Sequence, residues 1–160
     1  MTRYHGGKKR TGARIAKAIV EATLACERDR GFRPRGYCEP FCGMLGVYRW
    51  IPNLFAEEDF GNIRYLAGDI NEDVVEMWKC AQRGWTPPLK CSEAQYNSLK
   101  ASRRRSALKG YVGHQYSYGG KYFRGFSPRY SSWKPSAKTT SRVTAIASDL
   151  KDVRFSAGCY

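Results

Sequence analysis

The sequence predicts an α/β domain built from crossover units, and three observations carry that expectation. Two short strand-like runs, Tyr37-Cys38-Glu39 and Ile63-Arg64-Tyr65-Leu66-Ala67, each lead into a glycine-bearing turn. A stretch with helical character follows each of them, and a third strand candidate, Val153-Arg154-Phe155, follows a last helix. The order strand, turn, helix, strand, helix, insert, helix, strand belongs to a parallel sheet with helices on its crossovers.

The elements follow in order. Ile15, Ile19, Ala22 and Cys26 recur at helical spacing over 11–27, with a stop near Gly31 and Pro34. After the first strand and its Gly43-to-Gly46 turn, Val47, Trp50 and Ile51 predict a short apolar helix reaching Pro52. The second strand ends at Gly68-Asp69. Residues 72–83 place Val74, Val75, Trp78 and Ala81 on one helical face, with Gly84 as the stop. Trp85-Thr86-Pro87-Pro88 breaks the chain, and Ser92-Glu93-Ala94-Gln95 is a capping-box signature for a helix running towards Arg103. From Gly110 to Pro135 the composition turns to Gly, Tyr, Ser and cations without helical period, which predicts loops or short hairpins. A final helix carries Val143, Ile146, Ala147 and Leu150. The division expected is a core of 1–85 plus 135–160, interrupted by an insertion over 86–134.

Composition narrows the function. With 42% hydrophobic and 14% aromatic residues in 160, a disordered or collagen-like chain is excluded. No apolar run approaches the ~18–20 residues of a membrane span, so a soluble chain with no membrane partner and no targeting signal is expected. Net charge is +14, and it is uneven: residues 1–100 hold 16 cations against 12 acids, residues 101–160 hold 12 against 2. That asymmetry fits a polyanion such as nucleic acid, with a generically basic surface as the alternative. The six cysteines and the two histidines, His5 and His114, complete no zinc pattern, so no metal and no disulfide framework is expected.

Three constellations carry chemistry. Glu39-Pro40-Phe41-Cys42-Gly43 puts a glycine turn after a strand, where backbone can approach a ligand closely. Asp69 stands 26 residues beyond Gly43, at the tip of the next strand, where a carboxylate can accept hydrogen bonds from ribose hydroxyls. Tyr4-His5-Gly6-Gly7-Lys8 could line a nucleoside pocket, although composition alone reads it as a flexible basic lead-in. Finally, Tyr111, Tyr116, Tyr118, Tyr122, Phe123, Phe126, Tyr130 and Trp133 interleave with Lys121, Arg124, Arg129 and Lys134. Aromatic faces for bases and cations for phosphates suit nucleic acid, with about half of these rings expected to serve as core.

Together these pieces resemble the Dam-like (D12 class) DNA adenine-N6 methyltransferases of bacteria, phages and large DNA viruses. Arg3-Tyr4-His5-Gly6-Gly7-Lys8 resembles the family's N-terminal motif, Tyr37 to Gly43 its cofactor loop, and Gly68-Asp69-Ile70-Asn71 its Asp-x-Asn motif. Gly119-Gly120-Lys121-Tyr122-Phe123-Arg124-Gly125 resembles the target-recognition region of a phage-type branch. The resemblance implies a Rossmann-like core with strand order 3-2-1 for the half present, carrying an inserted DNA-recognition subdomain. S-adenosylmethionine would be the cofactor, held by Tyr4, Gly6, Gly7, Lys8, Glu39, Pro40, Phe41, Gly43, Asp69 and Asn71. Double-stranded DNA would meet Arg103, Arg104, Arg105, Tyr118, Lys121, Tyr122, Arg124 and Arg129. The location implied is the cytoplasm, or a host cell or virion for a viral protein.

One departure from the family matters. Its catalytic tetrapeptide, Asp-Pro-Pro-Tyr or a close variant, does not occur, and the nearest string is Thr86-Pro87-Pro88-Leu89. No catalytic residue is therefore expected in this chain. A methyltransferase that is truncated or split is the first expectation, with a partner chain or further segment covering the strand-1 edge. A catalytically inactive descendant, kept as a basic DNA-binding or virion component, is the alternative.

Overall fold

The computed structural model describes residues 4–8, 10–128, 143, 144 and 146–158. Three parallel strands form its sheet: β1 (Gly36–Glu39), β2 (Arg64–Asp69) and β3 (Val153–Ala157), in the spatial order β1-β2-β3. Tyr37 stands opposite Tyr65, which stands opposite Val153; the next row is Cys38, Leu66 and Arg154. Side chains alternate between the faces of a strand. In the first row Tyr37 and Val153 are buried and Tyr65 is half-buried, whereas Cys38, Leu66 and Arg154 are all exposed. Among the described residues one face of the sheet and the outer side of β1 are open. The architecture is mixed α/β, compatible with a Rossmann-like core.

The helices largely follow their predicted places. α1 (Gly12–Arg30) ends where Gly31 turns left-handed and donates its N–H to the Glu27 carbonyl. α3 (Glu72–Gln82) begins at Asn71, whose side chain accepts from the N–H groups of Asp73 and Val74. This side-chain acceptor satisfies donors that the first helical turn leaves open. α4 (Glu93–Ala101) is capped by Ser92, which accepts from the Gln95 N–H. Near the C-terminal part, residues 143, 144 and 146–148 are helical, and Leu150 is fully buried.

Two expectations are corrected. Pro52 does not end the helix that follows the Gly43-to-Gly46 turn. A 3-10 turn over Tyr48–Trp50 runs into α2 (Ile51–Glu57), with Pro52 in its first turn. There the missing proline N–H would have been unpaired in any case. The second correction is larger. The stretch read as loop from Gly110 onward opens inside a helix, α5 (Ala107–Gln115). Six consecutive residues from Gly110 to Gln115 are buried, so no polar face existed to reveal a helical period.

α5 lies directly on α3. A Cβ at Gly110 would sit 2.1 Å from the Asp73 carbonyl oxygen, so only glycine allows this approach. One hydrophobic cluster runs from Ala16 and Val20 through Val74 and Trp78 to Tyr96, Tyr111 and Phe123. The segment expected as an insertion thus shares its core with the sheet layer. No helix among the described residues is long and apolar enough to cross a membrane.

Candidate functional site

The site grows from two carboxylates at the carboxyl ends of adjacent strands. Asp69, the last residue of β2, is 5% exposed. Its Oδ2 accepts from the Gly43 N–H at 2.9 Å and from the Tyr4 hydroxyl at 3.4 Å, and its Oδ1 accepts from the Asn71 N–H at 2.9 Å. A carboxylate offers about four acceptor sites, so Oδ1 keeps one for a ligand hydroxyl. Glu39, the last residue of β1, accepts on Oε2 from the Tyr37 hydroxyl at 3.1 Å and the Tyr48 N–H at 2.8 Å. Burial pushes its carboxyl up to about 7 despite these donors.

The loop after β1 is pinned from both sides. Trp78 of α3 donates its indole N–H to the Gly43 carbonyl at 2.8 Å, while Asp69 takes the Gly43 N–H. Gly43 has φ +44°, and a Cβ there would lie 2.8 Å from the Tyr4 ring. Both conditions require glycine. The Cys42 N–H reaches the Gly68 carbonyl at 2.7 Å, which extends the strand pairing to the loop. The Cys42 thiol is buried, and that burial pushes its pKa well above the usual range, which favours the protonated thiol over the thiolate.

Between these loops opens a pocket of about 800 Å³, in the range of small-molecule sites. Tyr4, Gly6, Gly7, Lys8, Glu39, Phe41, Gly43 and Asp69 all stand on its wall. These residues come from three separate stretches of sequence. Phe41 is 77% exposed and offers its ring at the wall. Pro40 and Asn71 are not on the wall; Asn71 instead caps α3 and faces His114, with its Nδ2 3.5 Å from Nε2.

The residues expected to meet DNA divide into three groups. Arg103, Arg104, Arg105, Lys121 and Arg124 are exposed, and so is Tyr118, at 59%. Arg105 pairs with Glu72, the first residue of α3, which brings it to the carboxyl-end side of the sheet. Tyr122 is different: it is half-buried and donates its hydroxyl to Asp73 Oδ2 at 2.5 Å. Asp73 also accepts from the Ser106 N–H at 2.9 Å and lies 3.7 Å from Lys109 Nζ. Arg129, with Tyr130, Trp133 and Lys134, lies outside the described residues.

Several site features carry no mark in the sequence. Arg10 and Arg49 join Lys8 on the wall, and Gly119, read from the sequence as part of a DNA-facing motif, stands on the pocket wall instead. Nothing in the spacing of Arg10 and Arg49 marks them, because they meet only when the start of α1 docks beside the Tyr48–Trp50 turn. Cys26, Cys38, Cys42, Cys80 and Cys91 are free thiols. Among the described residues no three metal-ligating side chains come together. A scan against protein-family models finds no match, and a search of curated proteins finds none either.

Proposed function

We propose that this pocket binds S-adenosylmethionine and that the chain is the cofactor-binding and DNA-engaging part of a DNA adenine-N6 methyltransferase. The observation that carries the reading is the convergence of three distant motifs, residues 4–8, 39–43 and 69, on one pocket at the strand ends. The residues fit the group. Asp69 Oδ1 retains an acceptor site for a ribose hydroxyl, Phe41 offers a face for the adenine ring, and Glu39 brings a carboxyl group to the same wall. When bound, the cofactor would supply an electrophilic methyl group.

The chain's own residues bind and orient. Tyr4 and the Gly43 N–H hold the Asp69 carboxylate in place, so the acceptor is fixed before the ligand arrives. Exposed Tyr118, next in sequence to the wall residue Gly119, shares a short segment with the exposed Lys121 and Arg124, a ring for stacking and cations for phosphates. No side chain here matches the tetrapeptide that grips the adenine amino group in the family it resembles. We therefore expect no methyl transfer from these 160 residues alone.

Among the described residues, the open outer side of β1 and the exposed row Cys38, Leu66 and Arg154 support a complement that extends the sheet. Strand addition there would bring a catalytic segment beside the pocket. The test is a transfer assay with labelled S-adenosylmethionine and adenine-containing duplex. The chain would be assayed alone and then with the C-terminal half of a Dam-like enzyme. The reading expects transfer only in the second mixture. Transfer by the chain alone would show that the catalytic residues lie within it. A bound but inactive complement would favour the inactive, DNA-binding descendant.

A further inference from the structure

His114 lies off the pocket wall, is 5% exposed, and has no part in the binding scheme above. Its ring meets two others, both tilted against it. The Tyr4 ring centroid is 4.3 Å away, and the Tyr122 centroid is 5.0 Å away. Tyr4 belongs to the pocket, where its hydroxyl reaches Asp69. Tyr122 belongs to the basic aromatic segment and is tied to Asp73 at the start of α3.

The two ring nitrogens are assigned by their partners. Nδ1 lies 2.9 Å from the Gly120 carbonyl, which can only accept, so Nδ1 carries the proton. Nε2 then accepts, and it faces the Asn71 Nδ2 at 3.5 Å. Asn71 cannot turn its oxygen to this site, because Oδ1 is already accepting from Asp73 and Val74. Burial lowers the pKa of the imidazole, which keeps this neutral tautomer in place. The Gly120 carbonyl also accepts from the His5 N–H at 3.1 Å, so the N-terminal segment and the Tyr118–Gly120 turn share one acceptor.

We propose that His114 is a positioning residue that couples occupancy of the pocket to the placement of the Tyr118–Arg124 segment. The proposal rests on the reading of the pocket as a cofactor site and of that segment as facing DNA. A ligand that engages Tyr4 or Asp69 adds a contact to the Tyr4 ring or to the carboxylate that its hydroxyl already meets, and so restrains that ring further. The imidazole packed against it then holds Gly120, and with it the neighbours Gly119 on the wall and Tyr118 at the surface. By reciprocity, a polyanion that orders this segment strengthens the pocket by the same factor.

The test is calorimetric titration of S-adenosylmethionine into the chain, with and without saturating duplex DNA. For the wild type the two affinities should differ by about fivefold or more, the low end of typical coupling. In His114→Phe, which keeps a ring but removes both hydrogen-bonding nitrogens, that ratio should fall to near one. Each ligand's affinity measured alone should change much less than the ratio does. A purely structural role would instead weaken both ligands and leave the ratio intact. A second readout needs no variant: in ¹⁵N-histidine-labelled wild type, the His114 imidazole resonances should shift on addition of either ligand.

A folded His114→Phe with the wild-type ratio overturns the proposal. So do His114 resonances that answer to only one ligand, and so does a wild type that binds both ligands with a ratio of one. Those three outcomes leave the pocket reading standing. A wild type that binds no S-adenosylmethionine overturns that reading and this proposal with it.

Discussion

The loops around the pocket and the segment from Glu93 to Phe126 are both rich in glycine, tyrosine and cations, yet they are held together differently. Around the pocket, order comes from polar groups meeting backbone: Asp69 fixes Gly43 and Asn71, Glu39 fixes Tyr48, and Trp78 fixes the Gly43 carbonyl. In the later segment, ring packing is added to such bonds. Tyr96 meets Phe123 at 5.0 Å and Phe126 at 5.4 Å, and Tyr111, Tyr116 and Phe123 are buried. A tyrosine in the first region is a wall or a donor. In the second it is mostly core, and only Tyr118 among its tyrosines is exposed.

The largest expected effect lies where the two regions join. Trp78 is fully buried, packs in the shared core and donates to the Gly43 carbonyl. Trp78→Ala should cost about 3–5 kcal/mol in urea denaturation, from the missing indole and the cavity it leaves. A cost below about 1 kcal/mol would mean that the core collapses around the gap and that the joint is weaker than the packing implies.

A smaller effect separates the regions by pH. Glu39 in the pocket is pushed up to about 7 from 4.5, so between those values the folded state binds the proton more tightly than the unfolded one. Its contribution is present below the unfolded value and is lost as pH rises towards 7. Glu39→Gln should therefore gain stability relative to wild type as pH climbs through that window. His114 has the opposite sign. Its pKa is lowered from 6.5, so the unfolded state binds the proton more tightly and stability is lost as pH falls below 6.5. His114→Phe should flatten that acid side. Thermal melts across pH would check both, and equal slopes in wild type and variants would remove the assignments.

The smallest expected effect on stability, and the sharpest on binding, comes from the surface cations. Replacing Arg103, Arg104 and Arg105 together with alanine should shift stability little, since the ion pair that Arg105 makes with Glu72 is largely exposed. The slope of log DNA affinity against log salt should fall by up to about 0.9 for each phosphate that these side chains neutralise. An unchanged slope would return these arginines to the status of a solvated surface.

What the sequence made legible follows from the same contrast. The strand ends at Glu39 and Asp69, the stop at Gly31 and the Ser92 cap are local features, each written within a few neighbouring residues. The pocket wall was legible as far as the motifs that line it. α5 was not, because burial on every side erases the polar face that reveals a helix. The role of Tyr122 was hidden for a related reason: exposed and buried tyrosines look alike until Asp73 is placed beside one of them. His114 gave no signal, since its partners Tyr4, Asn71 and Gly120 are scattered across the chain.

The central claim is that the pocket holds S-adenosylmethionine on Asp69. Its most direct test is calorimetric titration of that compound into wild type and into Asp69→Ala, each shown to be folded by its melting curve. Removing a charged acceptor from a hydrogen-bonded site costs about 1.5–3 kcal/mol, so affinity should fall by roughly tenfold or more. Measurable binding by the wild type, with that drop in the variant, is the predicted result. Equal binding by both proteins, or none by the wild type, would contradict it.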